Sequence, residues 1–184
     1  MRAIKNMFYV IVGYFKFIFI KIFNYKRFNF GKIPRVSLNS KIAVSNNSKM
    51  DIGDKFKCEN NTTVVSLNNG YIEIGNNVAL SCGNRIISHQ NITIGDNTIM
   101  GPNVFIYDHD HVFSADTGVE RKKYKTSPVK IGKNCWIGAN TVILRGTTIG
   151  DNCLVGAGCV LKGNYPSNCK IIQKRDEKIL TEER

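Results

Sequence analysis

The stretch that decides the fold is Ile131–Leu161, IGKNCWIGANTVILRGTTIGDNCLVGAGCVL. Stepping by six from Ile131 meets Ile137, Ile143, Ile149, Val155 and Leu161, all aliphatic. With about one residue in four aliphatic, chance gives this roughly once in several thousand tries. Gly132, Gly138, Gly150 and Gly156 each follow one of these aliphatics, and the small residues Cys135, Thr141, Thr147, Cys153 and Cys159 stand four positions after the first five. An amphipathic helix needs a period of 3.6 and a half-buried strand a period of two, so neither fits. A chain that makes a short strand, turns, and returns to the same edge after three strands does fit. Three hexapeptides then make a coil of about 18 residues, which puts Ile131 over Ile149 and Ile137 over Val155. Gly132-Lys133-Asn134 and Gly150-Asp151-Asn152 are expected to supply the unusual backbone angles of the corners.

The same lattice appears upstream as Ile94, Met100 and Ile106, as Ile74, Leu80 and Ile86, and more weakly as Ile52, Cys58 and Val64. The fold class that follows is all-β, a parallel β-helix of about five or six coils whose stability is nearly additive along the shaft. The organisation read from this is a basic, aromatic arm at 1–35, the hexapeptide β-helix at 36–166, and a C-terminal tail at 167–184, of which DEKILTEER at 176–184 reads as frayed and polar.

Length and composition (184 residues, 42% hydrophobic, 22% charged) suit one globular domain and not a disordered chain. The net charge of +12 is uneven: residues 1–35 hold eight Lys/Arg and no acid, residues 36–106 five of each, and residues 107–184 thirteen basic against nine acidic. A nucleic-acid binder would spread such charge over its folded part, so no nucleic acid is expected as a partner. The six cysteines form no CxxC pair and no zinc-finger spacing. Three of them, Cys135, Cys153 and Cys159, occupy the small-residue slot of the repeat, where buried thiols act as small hydrophobes. A reducing cytoplasm is the expected compartment.

Residues 7–23, MFYVIVGYFKFIFIKIF, are apolar and aromatic but interrupted by Lys16 and Lys21. The longest charge-free run is about ten residues, half of what a membrane-spanning helix needs. No small-x-small cleavage site follows, which argues against a secretory signal. The arm reads as an amphipathic helix lying in a membrane interface through residues 1–30, its cations toward anionic headgroups. The alternative is packing on the protein's own body or on a neighbouring subunit.

The lattice is clean through Ile106 and resumes at Ile131, so 107–128 is an excursion loop. It opens with Tyr107-Asp108-His109-Asp110-His111, two of the three histidines interleaved with carboxylates. An uncharged imidazole can take the proton of a sugar hydroxyl as that oxygen attacks a thioester, and a neighbouring carboxylate can orient the ring. Asp110 or Asp108 is the candidate orienting group. Arg121, Lys122, Lys123 and Lys125 read as a solvated run.

These residues resemble the left-handed β-helix hexapeptide acyltransferases, nearest to the galactoside and maltose O-acetyltransferases and their relatives in polysaccharide gene clusters. The resemblance rests on Asn91-Ile92-Thr93-Ile94-Gly95-Asp96-Asn97, on Gly101-Pro102-Asn103-Val104, and on Pro128-Val129-Lys130-Ile131-Gly132-Lys133-Asn134-Cys135-Trp136-Ile137-Gly138. It covers about residues 70–166 and, more loosely, 36–69. It implies left-handedness, a homotrimer and acetyl-coenzyme A as donor, with no metal expected. Family members carry the base four residues after the tyrosine of an Ile-Tyr-Thr-Ala-Thr-His-Pro type stretch, which pairs it without a gap with His111; a one-register slip pairs it with His109. For the donor, the resemblance implies contacts at Trp136, Ala139, Ala157 and Lys162, and more weakly at Lys174 and Arg175. For the acceptor it points to Ser81, Asn84 and His89, with Asp108 beside them, although galactoside acetyltransferases place Asn and Asp at about the Ser81 and His89 positions.

The activity expected is acetyl transfer from acetyl-coenzyme A to a hydroxyl of a sugar or glycan precursor, at the inner face of the cytoplasmic membrane. Acylation of an amino sugar stays open, because a histidine base serves an amine as well. Two alternatives remain. One is a zinc-dependent hydratase resembling the γ-class carbonic anhydrases, with His89, His109 and His111 as ligands. The other is a non-catalytic trimeric scaffold.

Overall fold

The structure, a computed structural model, describes residues 2–174, with side chains from residue 6 onward. Arg175 and the tail at 176–184 lie outside the described residues.

Short parallel strands stack into three sheets that form the faces of a triangular shaft. The first face runs from Phe28–Phe30 through Lys49–Ile52, Tyr71–Ile74, Asn91–Ile94, Val129–Ile131 and Thr148–Ile149 to Asn164–Tyr165. The second runs from Arg35–Val36 to Lys170–Ile171 and carries Ile99–Met100, Trp136–Ile137 and Leu154–Val155 between them. The third runs from Lys41–Val44 to Val160–Leu161 and includes Arg85–Ser88 and Phe105–Tyr107. Seven, seven and six strands on the three faces make about six turns. The first coil begins at Phe28 and the last rung reaches Ile171, so the shaft extends past 36–166 at both ends.

The expected stacks are present: Ile131 lies opposite Ile149 and Ile137 opposite Val155. Nearly every lattice aliphatic is buried, including Ile74, Leu80, Ile86, Ile94, Met100, Ile106, Ile143 and Leu161. The slots four positions on are filled as their size requires. Cys135, Cys153 and Cys159 are buried as free thiols. Thr141 and Thr147 are buried with their hydroxyls donating to the carbonyls of Gly138 and Leu144 at 2.8 and 2.6 Å.

The corners differ from the simplest reading of the glycines. At the first-to-second corner from Asn77 onward the left-handed residues are asparagines, Asn77, Asn97, Asn134, Asn152 and Asn168 having φ between 55° and 62°, whereas Gly83, Gly146 and Gly158 take positive φ at the other corners. The asparagine amides form a ladder along the first-to-second corner, each donating to the next, with Asn97 to Asn134 at 3.0 Å and Asn134 to Asn152 at 3.0 Å. Asn tolerates this conformation because its side chain bonds locally. Gly132 is needed for space instead: a Cβ there would fall 2.3 Å from Asp151 Oδ1 and 2.6 Å from the Gly150 carbonyl carbon.

Coil length is not constant. The passage from the third face back to the first takes ten residues from Val64 to Ile74, eight from Ile86 to Ile94 and six from Ile143 to Ile149. The surplus widens one corner in the N-terminal half, and that corner carries Asn68 and His89.

The 107–128 excursion is not a loop but an antiparallel hairpin of His109–Ser114 with Gly118–Thr126, bulged between His111 and Val112. The arm forms a single helix, Arg2–Phe23, that caps the shaft. Phe17 is fully buried against Phe28, Phe30 and Phe56, and Lys16 Nζ donates to the carbonyls of Ser37, Leu38 and Ser40.

Candidate active site

The wide corner and the root of the hairpin meet around one carboxylate. Asp108 is the last residue before the hairpin and has no exposed surface. Its Oδ1 accepts from the His89 backbone N–H at 2.8 Å, and its Oδ2 accepts from the Gln90 N–H at 2.8 Å and the Ser88 hydroxyl at 2.7 Å. The fourth partner is His109 Nδ1, 3.1 Å from Oδ1. Burial pushes the Asp108 carboxyl up, but His109 and the three other donors together outweigh it and hold the group below its ordinary value. Asp108 is therefore ionised at neutral pH and ties the preceding coil to the hairpin.

This arrangement decides the tautomer of His109. With Nδ1–H donating to a carboxylate, the lone pair sits on Nε2. The ring keeps 14% of its side-chain surface exposed, enough to be reached from solvent. It stacks on His89 with centroids 3.8 Å apart and planes 21° apart. His89 in turn accepts at Nδ1 from the Asn68 amide at 3.1 Å. Burial first, and then the neighbouring His109, hold the His89 imidazole below its ordinary value, against an opposing pull from Asp108. His89 thus resists protonation.

On a strand, alternate residues share a face, so His109 and His111 point one way and Asp110 the other. Tyr124 on the partner strand, opposite His111, packs across the histidines at 4.2 Å from His89, 5.5 Å from His109 and 4.7 Å from His111. His111 is exposed, and its ring contact is Tyr124. Asp110 pairs with Arg145 at 2.5 Å, not with an imidazole. Of the two candidate orienting groups, Asp108 is the one on a histidine, and its burial removes it from direct contact with an acceptor.

Ser81 and Asn84 do not join this cluster. They lie at the second-to-third corner, with the strand Arg85–Ser88 between them and His89. Asn84 is fully buried, its amide donating to the Ser81 carbonyl at 3.1 Å and its oxygen accepting from the Val104 N–H at 2.7 Å, so both ends hold the corner. Tyr124 and Asn68 escaped the sequence reading. Tyr124 stands in a run of lysines and Asn68 in an Asn-Asn-Gly turn, and neither pattern marks a site.

On the second face, Trp136 is 58% exposed and stands beside a groove of about 380 Å³. Asn134, Asn152, Leu154, Cys169 and Lys170 line it as well. Ala139 and Ala157 sit at the far corner of the same coils, half-buried and exposed respectively, and Lys162 is exposed at the corner after that. The groove and the histidines therefore occupy different corners of one chain. Among the described residues, no group of three or more His, Cys, Asp and Glu is placed to hold a metal. The stacking of His89 on His109 also keeps their in-plane lone pairs from converging on one ion.

Residues 128–162 match the family model for the hexapeptide repeat of succinyl-transferase. The chain is 29% identical over 136 residues to WbbJ of Escherichia coli, named as a lipopolysaccharide biosynthesis O-acetyl transferase; the match covers 70% of this chain and 69% of that one. It is 32% identical over 114 residues to the galactoside O-acetyltransferase of Escherichia coli (58% and 56%), and 38% identical over 104 residues to nodulation protein L of Rhizobium meliloti (55% of each). The chain thus spans little more than half the length of the last two relatives. Among solved structures, a mutant of AntD, an N-acyltransferase from Bacillus cereus, shares the fold at TM-score 0.68 and 19% identity, with 85% of this chain and 84% of that one covered. The chain is thus similar in sequence to proteins named as O-acetyltransferases, carries a matched hexapeptide repeat at residues 128–162, and shares its fold with a solved N-acyltransferase.

Proposed function

We propose that this protein moves an acetyl group from acetyl-coenzyme A to a hydroxyl of a sugar or glycan precursor, with His109 as general base. The observation that carries the reading is the His109–Asp108 pair. It fixes the tautomer that presents a lone pair at Nε2 and offers a buried anion to balance the imidazolium. The acceptor and the choice of acetyl group follow the named activities of WbbJ and the galactoside O-acetyltransferase.

His109 Nε2 takes the hydroxyl proton as the acceptor oxygen forms its bond to the thioester carbonyl carbon. The tetrahedral oxyanion then collapses, the C–S bond breaks, and the imidazolium returns the proton to the departing thiolate. Asp108 holds the ring through both transfers. Tyr124 and His89 wall the imidazole and limit water around it.

The groove beside Trp136 fits an extended donor arm: it is open, it lies along the rigid second face, and Lys170 at its edge suits a phosphate. Since the groove and His109 lie at different corners, the homotrimer implied by the family supplies the groove to the base from a neighbouring copy. Incubation with acetyl-coenzyme A and a panel of saccharides tests the reading. It expects thiol release that depends on the saccharide and a product heavier by one acetyl group. Thiol release without any acetylated saccharide contradicts it.

A further inference from the structure

The cap helix is apolar on its outer side as well as on its buried side. Met7, Phe8, Ile11, Phe15, Ile18, Phe19, Ile22 and Phe23 are each 48–73% exposed. At 100° per residue they fall within one stripe from Met7 to Phe23 that, among residues 6–23, no charged side chain enters. The other side belongs to the body. Phe17 is buried there, a Cβ at Gly13 would fall 2.3 Å from the Pro34 carbonyl oxygen, and the Tyr14 hydroxyl accepts from the Ile33 N–H at 2.9 Å. Ile33 and Leu38, themselves 45% and 63% exposed, flank the helix on either side. An apolar strip of this length is larger than a soluble monomer ordinarily leaves to water.

By length and composition alone the window Asn6–Phe23, with mean hydropathy 1.6, is able to cross a membrane. The packing argues against it. A spanning helix would have to strip Phe17 from the aromatic cluster at the end of the shaft and carry Lys16, now bonded to carbonyls of Ser37, Leu38 and Ser40, into hydrocarbon. Kept in place, the helix presents the stripe sideways. A second copy is an unsuitable cover, because residues 1–35 hold eight Lys/Arg and no acid, and pairing two such arms brings like charges together. Lys26 and Lys32 are exposed at this end of the shaft, and Lys21 lies over Tyr25 at the helix terminus.

We infer that the cap helix is a monotopic membrane anchor, lying in the interface of an anionic bilayer with its Phe/Ile stripe among the upper acyl chains and its lysines at the phosphates. The surface is independent of the catalytic reading, since the helix caps the opposite end of the shaft from the Trp136 coils and touches none of the histidines.

Flotation of the full chain with vesicles of phosphatidylcholine, with or without about a third phosphatidylglycerol, tests this. The expected result is binding to the anionic vesicles at least about tenfold above the neutral ones, reduced by high salt and released by an alkaline carbonate wash. The variant Phe15→Ser/Ile18→Ser/Phe19→Ser should lose the binding yet melt close to the wild-type temperature and keep any acetyl transfer, because those side chains are 48–73% exposed. Three results would overturn the inference: no preference for anionic vesicles, retention through carbonate, which marks a spanning helix, or a triple variant that changes the oligomeric mass in scattering, which marks a second copy as the cover. None of these outcomes bears on catalysis, which saccharide acetylation in detergent-free buffer reads separately.

Discussion

The Nδ1 atom of His109 sits 3.1 Å from Oδ1 of Asp108, a carboxylate with no exposed surface. The same carboxylate gathers the backbone N–H groups of His89 and Gln90 and the Ser88 hydroxyl. His109, the proposed base, is thus held by the coil before it, where the third-to-first corner is wide enough to receive the root of the hairpin.

Asp108→Asn keeps the shape but turns an amide N–H₂ toward groups that are themselves donors. Each donor left unpaired at a buried site costs about 1–3 kcal/mol, so the melting temperature should fall by several degrees. Acetyl transfer should fall further, by roughly a hundredfold or more, because the ring loses both its tautomer and its counter-charge. Unchanged kcat in a folded Asp108→Asn protein would show that the pair is structural only.

Stability should also depend on pH in two windows. Asp108 is held below its ordinary value of 3.8, so its contribution is complete above that value and is lost as the pH falls through the folded-state value beneath it. His89 is held below 6.5, so the unfolded chain takes up its proton first; stability is full above 6.5 and declines as the pH falls below it. Thermal melts from pH 8 to pH 5 should therefore slope downward below about pH 6.5, and His89→Gln should flatten that slope. A slope that survives in the variant would assign it elsewhere.

Asn134, with φ of 55°, holds the left-handed position at its corner. Asn134→Ala should cost about 1–2 kcal/mol for a Cβ-bearing residue without local side-chain bonding in the left-handed region, while Asn134→Gly should recover part of the loss. For comparison, Ile137→Ala, which empties a fully buried stack, should cost about 2–5 kcal/mol. Chemical denaturation of the three variants gives the order directly.

The two sides of the cap helix should respond oppositely. Phe17→Ala removes a ring buried among Phe28, Phe30 and Phe56 and should cost about 3–5 kcal/mol. Phe15→Ala, at a position 73% exposed, should fall within about 0.5 kcal/mol of wild type. Equal losses would mean that the helix packs differently in solution.

Sequence periodicity revealed the shaft because a six-residue repeat has a single physical meaning: Ile131 over Ile149 follows once the coil is eighteen residues. It did not reveal the wider corner, since ten residues from Val64 to Ile74 look like a broken lattice until the strands are seen. The hairpin was hidden for a related reason. His109–Ser114 and Gly118–Thr126 are mostly polar, half-solvated strands without the apolar alternation that marks a buried face. Asp-His-Asp-His singled out the stretch that carries the Asp108–His109 pair. Which imidazole meets which carboxylate depended on where the strand begins: Asp108, just before it, is buried at the root of the hairpin, while Asp110, two positions on and within the strand, pairs with Arg145. A gapless comparison with relatives selects His111, whereas the packing supplies a carboxylate partner to His109.

The central claim is tested most directly by saccharide-dependent acetyl transfer from acetyl-coenzyme A in His109→Ala and His111→Ala, compared at equal folded concentration with the wild type. His109→Ala should lose activity by roughly 10²–10⁴-fold, the usual contribution of a positioned base, while His111→Ala keeps most of it. The opposite order, with His111→Ala inactive and His109→Ala near wild type, would contradict the account and move the base to the exposed His111, two positions further along the same strand.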